Sequence, residues 1–437
     1  MDIQDLYIEF CKSDGIAIDS RKLKHNQIFF ALRGENVDGN QYAIKAIESG
    51  ARLVVVSDLN IAKLHNKCVY FPDSLVALQQ LAGIRRGLLT IPIIGITGSV
   101  GKTTTRELIS TILKTTYKTY STEGNYNNHI GVPLSILSIN DDVEIAVIEM
   151  GANHIGEIAE LCEIARPTHG IITRIGQAHL EGFGSLEGVI IAKSDLFRYI
   201  RDHQGIAFVN DSDSILFSIS KGFDMTKIFI HQEIEVVQVT ANPFIHTNLK
   251  VNSQWVELTT RIPGKYNLEN IIAAMVIGEF FKISSDAQKK AIESYRPHSN
   301  RSQIIYHDSN EFLLDAYNAN PLSTTEAIKS FSEYDTSKKK ILLLGEMNEL
   351  GEARLKAHQR IVELISELKS NWEQVILVGP TFNELKYENR FLYFENVALL
   401  KSWFQNQSFT DTAFLLKASR SVQLEQLISK INPDSKH

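Results

Sequence analysis

G-I-T-G-S-V-G-K-T-T-T, residues 95–105, lies between an apolar run, Ile91–Ile96, and a helix-like stretch that begins near Thr103. An apolar strand, a glycine-rich loop, Gly-Lys-Thr and a helix in this order are typical of a phosphate-binding loop. Glycine loops before helices also occur as plain turns. The complete order nevertheless favours a nucleotide-binding site.

The residues of this loop have distinct expected roles. Gly98 and Gly101 expose backbone N–H groups that bind phosphate oxygens together with the positive end of the following helix. Lys102 reaches the terminal phosphates, and Thr103 or Thr104 supplies a hydroxyl to Mg²⁺. The loop therefore predicts a nucleotide with its magnesium ion.

Composition excludes several classes of partner. The 437 residues are 43% hydrophobic and carry a formal net charge of −6, which predicts two to four globular domains and no nucleic-acid partner. Cys11, Cys68 and Cys162 are widely spaced and predict neither a metal site nor a disulfide framework, so we expect a reducing cytoplasm. No apolar run approaches the roughly 20 residues that a membrane span needs, and we expect no signal peptide or membrane anchor.

Changes of pattern divide the chain into three α/β units. Residues 1–89 mix short strands and helices, and Thr90-Ile91-Pro92 then interrupts the pattern. Residues 90–297 alternate strands with helices, which predicts a doubly wound parallel sheet, and within them residues 229–261 predict a patch of antiparallel strands. Residues 298–437 resume the alternation and predict a third, Rossmann-like domain.

Ligands of such sheets bind at the carboxyl ends of the strands, so the strand positions matter for function. The expected strands are Gln27–Leu32, Leu53–Val56, Ile93–Thr97, Glu144–Met150, Gly170–Ile175, Glu311–Asp315, Lys340–Gly345, Val375–Gly379 and Thr412–Lys417. The expected helices include Gln41–Glu48, Leu186–Arg198 and Asn270–Phe281.

Glu149 ends the second strand of the central sheet, where a carboxylate reaches a metal ion beside nucleotide phosphates. A solvated glutamate at a strand end is the alternative, and the phosphate loop favours the metal. His179 and Lys193 taken alone are ordinary residues, because a lone histidine or helical lysine is more often solvated or structural.

Residues Thr97–Thr103, T-G-S-V-G-K-T, resemble the phosphate loop of the Mur ligases and of their folylpolyglutamate synthetase relatives, which join an amine to a carboxylate using ATP. The resemblance implies that His179 binds magnesium. It also implies that Lys193, in an Ala-Lys motif on the next helix, is carbamylated and holds a second metal ion.

Two further segments extend the resemblance through the central domain. Residues 122–133 resemble the T-x-G-N-x-N-N-x-I-G-x-P segment of this family, which places Asn125 and Asn128 beside the γ-phosphate and the nucleotide-sugar substrate. Residues 264–270 resemble G-x-H-N-x-x-N, which implies that Asn267 and Asn270 contact the adenine end of ATP. Tyr266 replaces the usual histidine there and receives no role.

The C-terminal domain carries the segment that discriminates best. Residues 314–323, L-D-A-Y-N-A-N-P-L-S, resemble the branch of the Mur ligase family that adds D-alanyl-D-alanine, although a capped turn is the alternative. Asp315 is expected to bind the ribose of ATP, and Arg301 to lie near its phosphates. The remaining residues expected to bind substrate here are Tyr317, Asn318 and Asn320.

Two more C-terminal segments resemble the family with one substitution each, and an N-terminal segment extends the resemblance to the start of the chain. L-G-E-M-N-E-L-G, residues 344–351, carries Glu346 where the family has aspartate, and L-K-A-S-R, residues 416–420, carries Ala418 where it has glycine. At the other end, residues 18–39 resemble the uridine-nucleotide-binding start of these enzymes, which makes residues 1–89 a UDP-substrate domain and implies that Ser20 and Arg21 bind substrate.

The resemblance implies an ATP-dependent ligase that uses Mg²⁺, with UDP-N-acetylmuramoyl-tripeptide and D-alanyl-D-alanine as substrates. The residues expected to act in catalysis are Lys102, His179, Lys193 and Arg301, and we expect a monomer. A sister ligase is the nearest alternative, because the phosphate loop is shared. A small-molecule kinase or a nucleotide switch is a more distant one, and a purely structural protein would leave the loop unexplained.

Overall fold

The structure, a computed structural model, describes residues 1–35, 37–251, 254–368, 370–385 and 391–428. These residues form α/β domains, each built around its own sheet. The predicted fold class, three α/β domains with a doubly wound central sheet and a Rossmann-like C-terminal unit, is confirmed. The boundaries at 89 and 297 stay a prediction.

The N-terminal domain has a four-stranded parallel sheet within the described residues, in the order β1-β2-β3-β4. Its strands are β1 (Ile16–Ala17), β2 (Ile28–Phe30), β3 (Leu53–Val56) and β4 (Cys68–Tyr70). Its helices are α1 (Ile3–Cys11), α2 (Ala43–Glu48), α3 (Leu59–Ala62) and α4 (Ser74–Leu88). The buried Arg86 joins α4 to the next domain, since its guanidinium donates to the carbonyls of Ala165 and Arg166 at 2.7 Å each.

The central sheet, six parallel strands among the described residues, runs β10-β9-β8-β5-β7-β6. Because later strands add on both sides of β5, the phosphate loop after β5 lies at the switch point of a doubly wound sheet. Its strands are β5 (Ile93–Thr97), β6 (Thr119–Ser121), β7 (Ile145–Glu149), β8 (His169–Ile172), β9 (Ile206–Val209) and β10 (Thr226–Phe229). Its helices are α5 (Lys102–Leu113), α6 (Gly131–Leu137), α7 (Glu157–Ala165), α8 (Leu180–Phe183), α9 (Leu186–Asp202), α10 (Ser214–Lys221) and α11 (Ile230–Glu233).

The antiparallel patch is β11 (Ile234–Ala241), β12 (Phe244–Val251) and β13 (Gln254–Pro263), followed by α12 (Leu268–Phe280) and α13 (Ser285–Ser294). The expected start at residue 229 is wrong, because Phe229 ends the parallel strand β10 and the short helix α11 intervenes. A hydrogen bond of 2.7 Å from the backbone N–H of His231 to the Asp211 carboxylate holds that turn. Helix α12 is apolar on nearly all sides since it packs between α5 and this patch.

The C-terminal sheet, six strands in the described part of the chain, runs β14-β15-β19-β16-β17-β18, and β14 alone is antiparallel to its neighbour. Its strands are β14 (Gln303–His307), β15 (Asn310–Asp315), β16 (Lys339–Gly345), β17 (Trp372–Val378), β18 (Leu392–Phe394) and β19 (Thr412–Lys417). Its helices are α14 (Pro321–Ser332), α15 (Arg354–Glu367), α16 (Pro380–Glu384) and α17 (Val397–Phe404). No helix in the described ranges has the length and apolar character that crossing a membrane requires.

Candidate active site

The phosphate loop joins β5 to α5 in a conformation that two glycines permit. Gly98 has φ +145°, and a Cβ atom there would stand 2.1 Å from the Oγ1 of Thr173. Gly101 has φ +88° and starts α5 without a side-chain cap, so the first N–H groups of that helix are left for a ligand. The loop is therefore shaped to hold an anion against backbone N–H groups.

Lys102 lies over the loop. Its Nζ donates a hydrogen bond of 2.5 Å to the carbonyl of Gly98. Burial lowers the pKa of Lys102, with Glu149 opposing and Arg301 adding to this effect. A phosphate group beside the ammonium would offset the cost of burying it.

Glu149 ends β7 beside this loop and is 1% exposed. Its Oε1 accepts hydrogen bonds from the Oγ1 of Thr103 at 3.2 Å and from the Nδ2 of Asn127 at 2.8 Å. Its Oε2 is buried without a hydrogen-bond donor and faces only the Nη1 of Arg106 at 3.3 Å. Glu149 thus presents a carboxylate to the site beside the phosphate loop.

The donor set fits a magnesium ion. Among the described residues no cluster of three or more His, Cys, Asp or Glu side chains forms a ready metal cage. Mg²⁺, however, is usually held by one or two protein oxygens, with water and substrate phosphates completing its octahedron. The Thr103 hydroxyl and the Glu149 carboxylate supply oxygens of that kind.

His179 and Lys193, the other expected metal ligands, have different surroundings. His179 lines the cavity described below, and its Nδ1 lies against the Glu349 carboxylate of the C-terminal domain. Lys193 is 2% exposed, and its Nζ donates to the carbonyl of Ala152 at 3.3 Å and lies 5.2 Å from the Phe183 ring centroid. Burial, and secondly the charge of Lys102, hold the pKa of Lys193 well below its usual range.

The amide side chains at the start of α12 contact helix α5 just after the phosphate loop. Asn270 accepts from the Oγ1 of Thr105 at 3.0 Å and donates to the Oδ1 of Asn267 at 2.9 Å. Asn267 in turn donates to the carbonyl of Pro263 at 2.8 Å. Tyr266, to which no role was assigned, lines the cavity; burial raises its pKa, and its hydroxyl is 3.0 Å from Ser302 across the domain boundary.

The C-terminal domain supplies the opposite wall. Asp315 and Lys417 are register partners on β15 and β19, and the Nζ of Lys417 donates to the Asp315 carboxylate at 2.7 Å and to the Asn318 carbonyl at 2.8 Å. The guanidinium of Arg301 stacks 3.8 Å from the ring centroid of Tyr317. Cationic and aromatic groups of this domain therefore face the phosphate loop.

One cavity of about 400 Å³ lies between the central and C-terminal domains and gathers most of the predicted residues. Those that line it are Gly101, Lys102, Thr103, Thr104, Asn128, Glu149, His179, Asn267, Asn270, Arg301, Asp315, Tyr317, Asn318 and Asn320. Those that lie outside its lining are Gly98, Asn125, Lys193, Ser20 and Arg21.

The residues outside the lining are placed differently from one another. Gly98 shapes the loop, and Lys193 lies buried beneath the site. Arg21 is on the N-terminal domain with an 82% exposed side chain that pairs with Asp19 at 2.8 Å. Asn128, although in the lining, accepts from the backbone N–H of Gly131 at 2.9 Å and so also holds the entry to α6.

Several residues of the site had no predicted role. Asn127 contacts Glu149. The sequence had instead predicted that the neighbouring Asn125 and Asn128 lie beside the γ-phosphate and the substrate. Lys417 stands in the L-K-A-S-R segment that the sequence singled out, so a signal for it existed. Arg106 on α5 had no sequence signal, because its pairing with Glu149 depends on how α5 packs on β7.

Three family models match the chain. They are described as "Mur ligase family, catalytic domain" over residues 12–85, "Mur ligase middle domain" over residues 96–278, and "Mur ligase, glutamate ligase domain" over residues 300–403. The matches therefore fall in all three domains.

Known proteins match this chain over nearly its whole length. The chain is 32% identical over 431 residues, 95% of its own length and 93% of the relative's, to the UDP-N-acetylmuramoyl-tripeptide–D-alanyl-D-alanine ligase of Bacillus subtilis (strain 168). Its fold is similar to a crystal structure of MurF from Acinetobacter baumannii, with a TM-score of 0.85 at 27% identity over 95% of this chain and 92% of the other. MurF ligase from Thermotoga maritima in complex with ADP superposes with a TM-score of 0.83 at 23% identity, covering 95% and 96% of the two chains.

Proposed function

The chain belongs to the Mur ligase family, and we propose that it is the ATP-dependent ligase that joins D-alanyl-D-alanine to UDP-N-acetylmuramoyl-tripeptide. This reaction completes the peptide of the peptidoglycan precursor, and so serves cell-wall formation. The expected compartment is the cytoplasm, and the expected state a monomer. Cys11, Cys68 and Cys162 are free thiols, which agrees with a reducing compartment.

The observation that carries the proposal is the cavity shared by two domains. The phosphate loop forms one wall, and the segment from Asp315 to Asn320 forms the other. A nucleotide switch needs the first wall only. A ligase also needs a second wall, which presents the attacking amine to the activated carboxylate and keeps water away.

The proposed reaction has two steps. The terminal carboxylate of the tripeptide attacks the γ-phosphorus of ATP, which forms an acyl phosphate and releases ADP. The amine of D-alanyl-D-alanine then attacks the acyl carbon, the C–O bond to phosphate breaks, and the amine loses a proton as the amide forms. Water must be excluded because it would hydrolyse the acyl phosphate.

The chain's own residues contribute mainly charge and position. Lys102 is held over the loop, where its ammonium stabilises negative charge on the transferring phosphoryl group. Arg301, stacked on Tyr317, brings a second cation from the C-terminal wall. Lys417 holds the Asp315 carboxylate, which would bind the ribose hydroxyls of ATP.

Thr103 and Glu149 would hold Mg²⁺, which when bound neutralises phosphate charge and polarises the transferring group. His179 would complete the metal-binding side of the cavity. Burial holds the pKa of Lys193 well below its usual range. The neutral form of a lysine amine is the one that adds to carbon dioxide, with loss of a proton, to give a carbamate. The nearby charge of Lys102 would offset the negative charge of that carbamate.

Phosphate release from ATP by the purified protein tests the proposal. With Mg²⁺, UDP-N-acetylmuramoyl-tripeptide and D-alanyl-D-alanine present we expect release, and a pentapeptide product by mass spectrometry. Omission of either substrate should abolish the product. Phosphate release that is independent of both substrates would instead support a nucleotide switch, and activity with another amino acid a sister ligase.

A further inference from the structure

Glu349 reaches across the boundary between the central and C-terminal domains. It lies in the loop Glu346–Gly351, between β16 and the turn that leads to α15, and its Oε2 lies against the Nδ1 of His179. In the same loop, the carbonyl of Glu349 accepts from the backbone N–H of Glu181 at 3.2 Å. The C-terminal domain thus contacts both the His179 side chain, at the edge of the cavity, and helix α8, which follows it.

Both residues of this pair have left-handed backbones. His179 has φ +51° and Glu349 has φ +61°. Such conformations are uncommon for residues with side chains and persist where the surrounding structure holds them. The backbone conformation of each residue therefore directs its side chain toward the other.

The loop is braced from within its own domain. The backbone N–H of Met347 donates to the Nε2 of the fully buried His358 at 2.9 Å, and the backbone N–H of Asn348 donates to the Oγ of Ser419 at 2.9 Å. The Oε1 of Glu346 accepts from the backbone N–H of Thr381 at 2.6 Å. These contacts hold the loop that carries Glu349 against its own domain.

A carboxylate on one ring nitrogen of a histidine fixes its orientation and leaves the other nitrogen for a ligand. Glu349 has this relation to His179, which lines the nucleotide cavity.

We propose that Glu349 is a positioning residue of the ligase: docking of the C-terminal domain brings its carboxylate onto Nδ1 of His179 and so orients that ring toward the nucleotide cavity. This inference rests on the proposed function. Domain docking and assembly of the metal-binding side of the cavity then become one event, so phosphoryl transfer is confined to the closed, water-excluding form.

The test compares Glu349→Ala with Glu333→Ala. Glu333 pairs with Lys265 at 3.0 Å across the same boundary, and both side chains are exposed, so this variant removes a boundary ion pair without touching His179. Glu349→Gln keeps an acceptor oxygen and is expected to retain part of the effect. Both positions are solvent-accessible, and the three variants should unfold within about 2 °C of the parent, since substitutions at exposed sites change stability little.

The first readout is independent of activity. In ¹⁵N-histidine NMR spectra with ADP, His179 of the parent should carry its proton on Nδ1, and Glu349→Ala should lose this preference while Glu333→Ala keeps it. The His179 signals are assigned by their loss in His179→Gln. The inference is overturned if the Glu349→Ala spectrum equals that of the parent.

The second readout is kinetic. Glu349→Ala should lower kcat, or raise the Mg²⁺ concentration for half-maximal rate, by about 10- to 100-fold, the usual effect of removing a residue that orients a ligating histidine. The KM for the UDP-linked substrate should stay within twofold. An equal loss in Glu333→Ala would show that only docking matters and would overturn the role of Glu349. If the parent itself makes no pentapeptide, the proposed function fails, whereas the NMR result still decides the Glu349–His179 pairing.

Discussion

The buried pair of Lys417 and Asp315 should make a large and separable contribution to stability. Lys417 is 3% exposed, and its ammonium is 2.7 Å from Asp315 and 2.8 Å from the Asn318 carbonyl. Lys417→Met keeps the bulk but leaves the carboxylate nearly buried; among the described residues, its remaining donor is the backbone N–H of Ser302 at 3.2 Å. Breaking one side of a buried pair costs about 3–5 kcal/mol.

The lower end of that range applies here, because the Asp315 side chain keeps 14% exposure and one donor. A loss of about 3 kcal/mol corresponds to a fall in Tm of roughly 10 °C for a domain of this size. Differential scanning calorimetry of the transition that includes the C-terminal domain measures it. Adding Asp315→Asn removes the stranded charge, so the double variant should recover at least half of the loss.

A surface pair provides the control. Lys339 and Glu373 are 3.0 Å apart with side chains 60% and 50% exposed, so Lys339→Met should change stability by less than about 1 kcal/mol. The reasoning is refuted if Lys417→Met melts within 2 °C of the parent, or if the double variant is no more stable than the single one.

Three further predictions concern the phosphate loop and the core. Lys102→Met should lower kcat by about 10²–10³-fold, since it removes a charge that stabilises the transition state. It should not lower Tm, because the ammonium group is costly to bury. A kcat within threefold of the parent would contradict this role. Gly101→Ala should weaken ADP binding about 5- to 30-fold by calorimetry, because the free loop relaxes away from a left-handed alanine and ADP binding must restore that conformation at a cost of about 1–2 kcal/mol. The alanine Cβ would also stand 2.6 Å from the Oδ1 of Asn270. An unchanged Kd would refute this prediction. Burial lowers the pKa of His169 to about 4, so the unfolded chain binds a proton that the folded chain does not as pH falls from about 6.5 to 4. Between pH 7 and pH 5 the parent should therefore lose about 2 kcal/mol more unfolding free energy in urea than His169→Phe, and equal losses would show that His169 is not responsible.

Local patterns in the chain were enough to predict the parts of this fold. Strands β3, β5 and β19 begin and end at the expected residues, because each is a short apolar run whose limits are set by its immediate neighbours. The phosphate loop could also be predicted from the sequence, since the backbone conformation that holds phosphate needs glycines at defined positions next to a lysine and a helix start. Residues 229–233 were misassigned because their turn depends on contacts with Asp211 and Glu269 from distant segments.

The contacts between side chains within the site could not be predicted from local sequence patterns. Lys417 meets Asp315 because β15 and β19 are adjacent and in register, although 102 residues separate the two side chains. Asn127, rather than Asn125 or Asn128, reaches Glu149, since the path of that loop over β7 selects one amide among three.

The sequence determined the family, the order of the domains and the chemistry of the nucleotide, all of which follow from residue types at short spacing. The tertiary structure alone decided which side chains share a cavity, that Lys193 lies buried beneath it, and that Glu349 meets His179 across two domains. The physical reason is that spacing along a chain controls backbone conformation, whereas burial, charge pairing and domain docking depend on sheet order and packing between segments far apart in sequence.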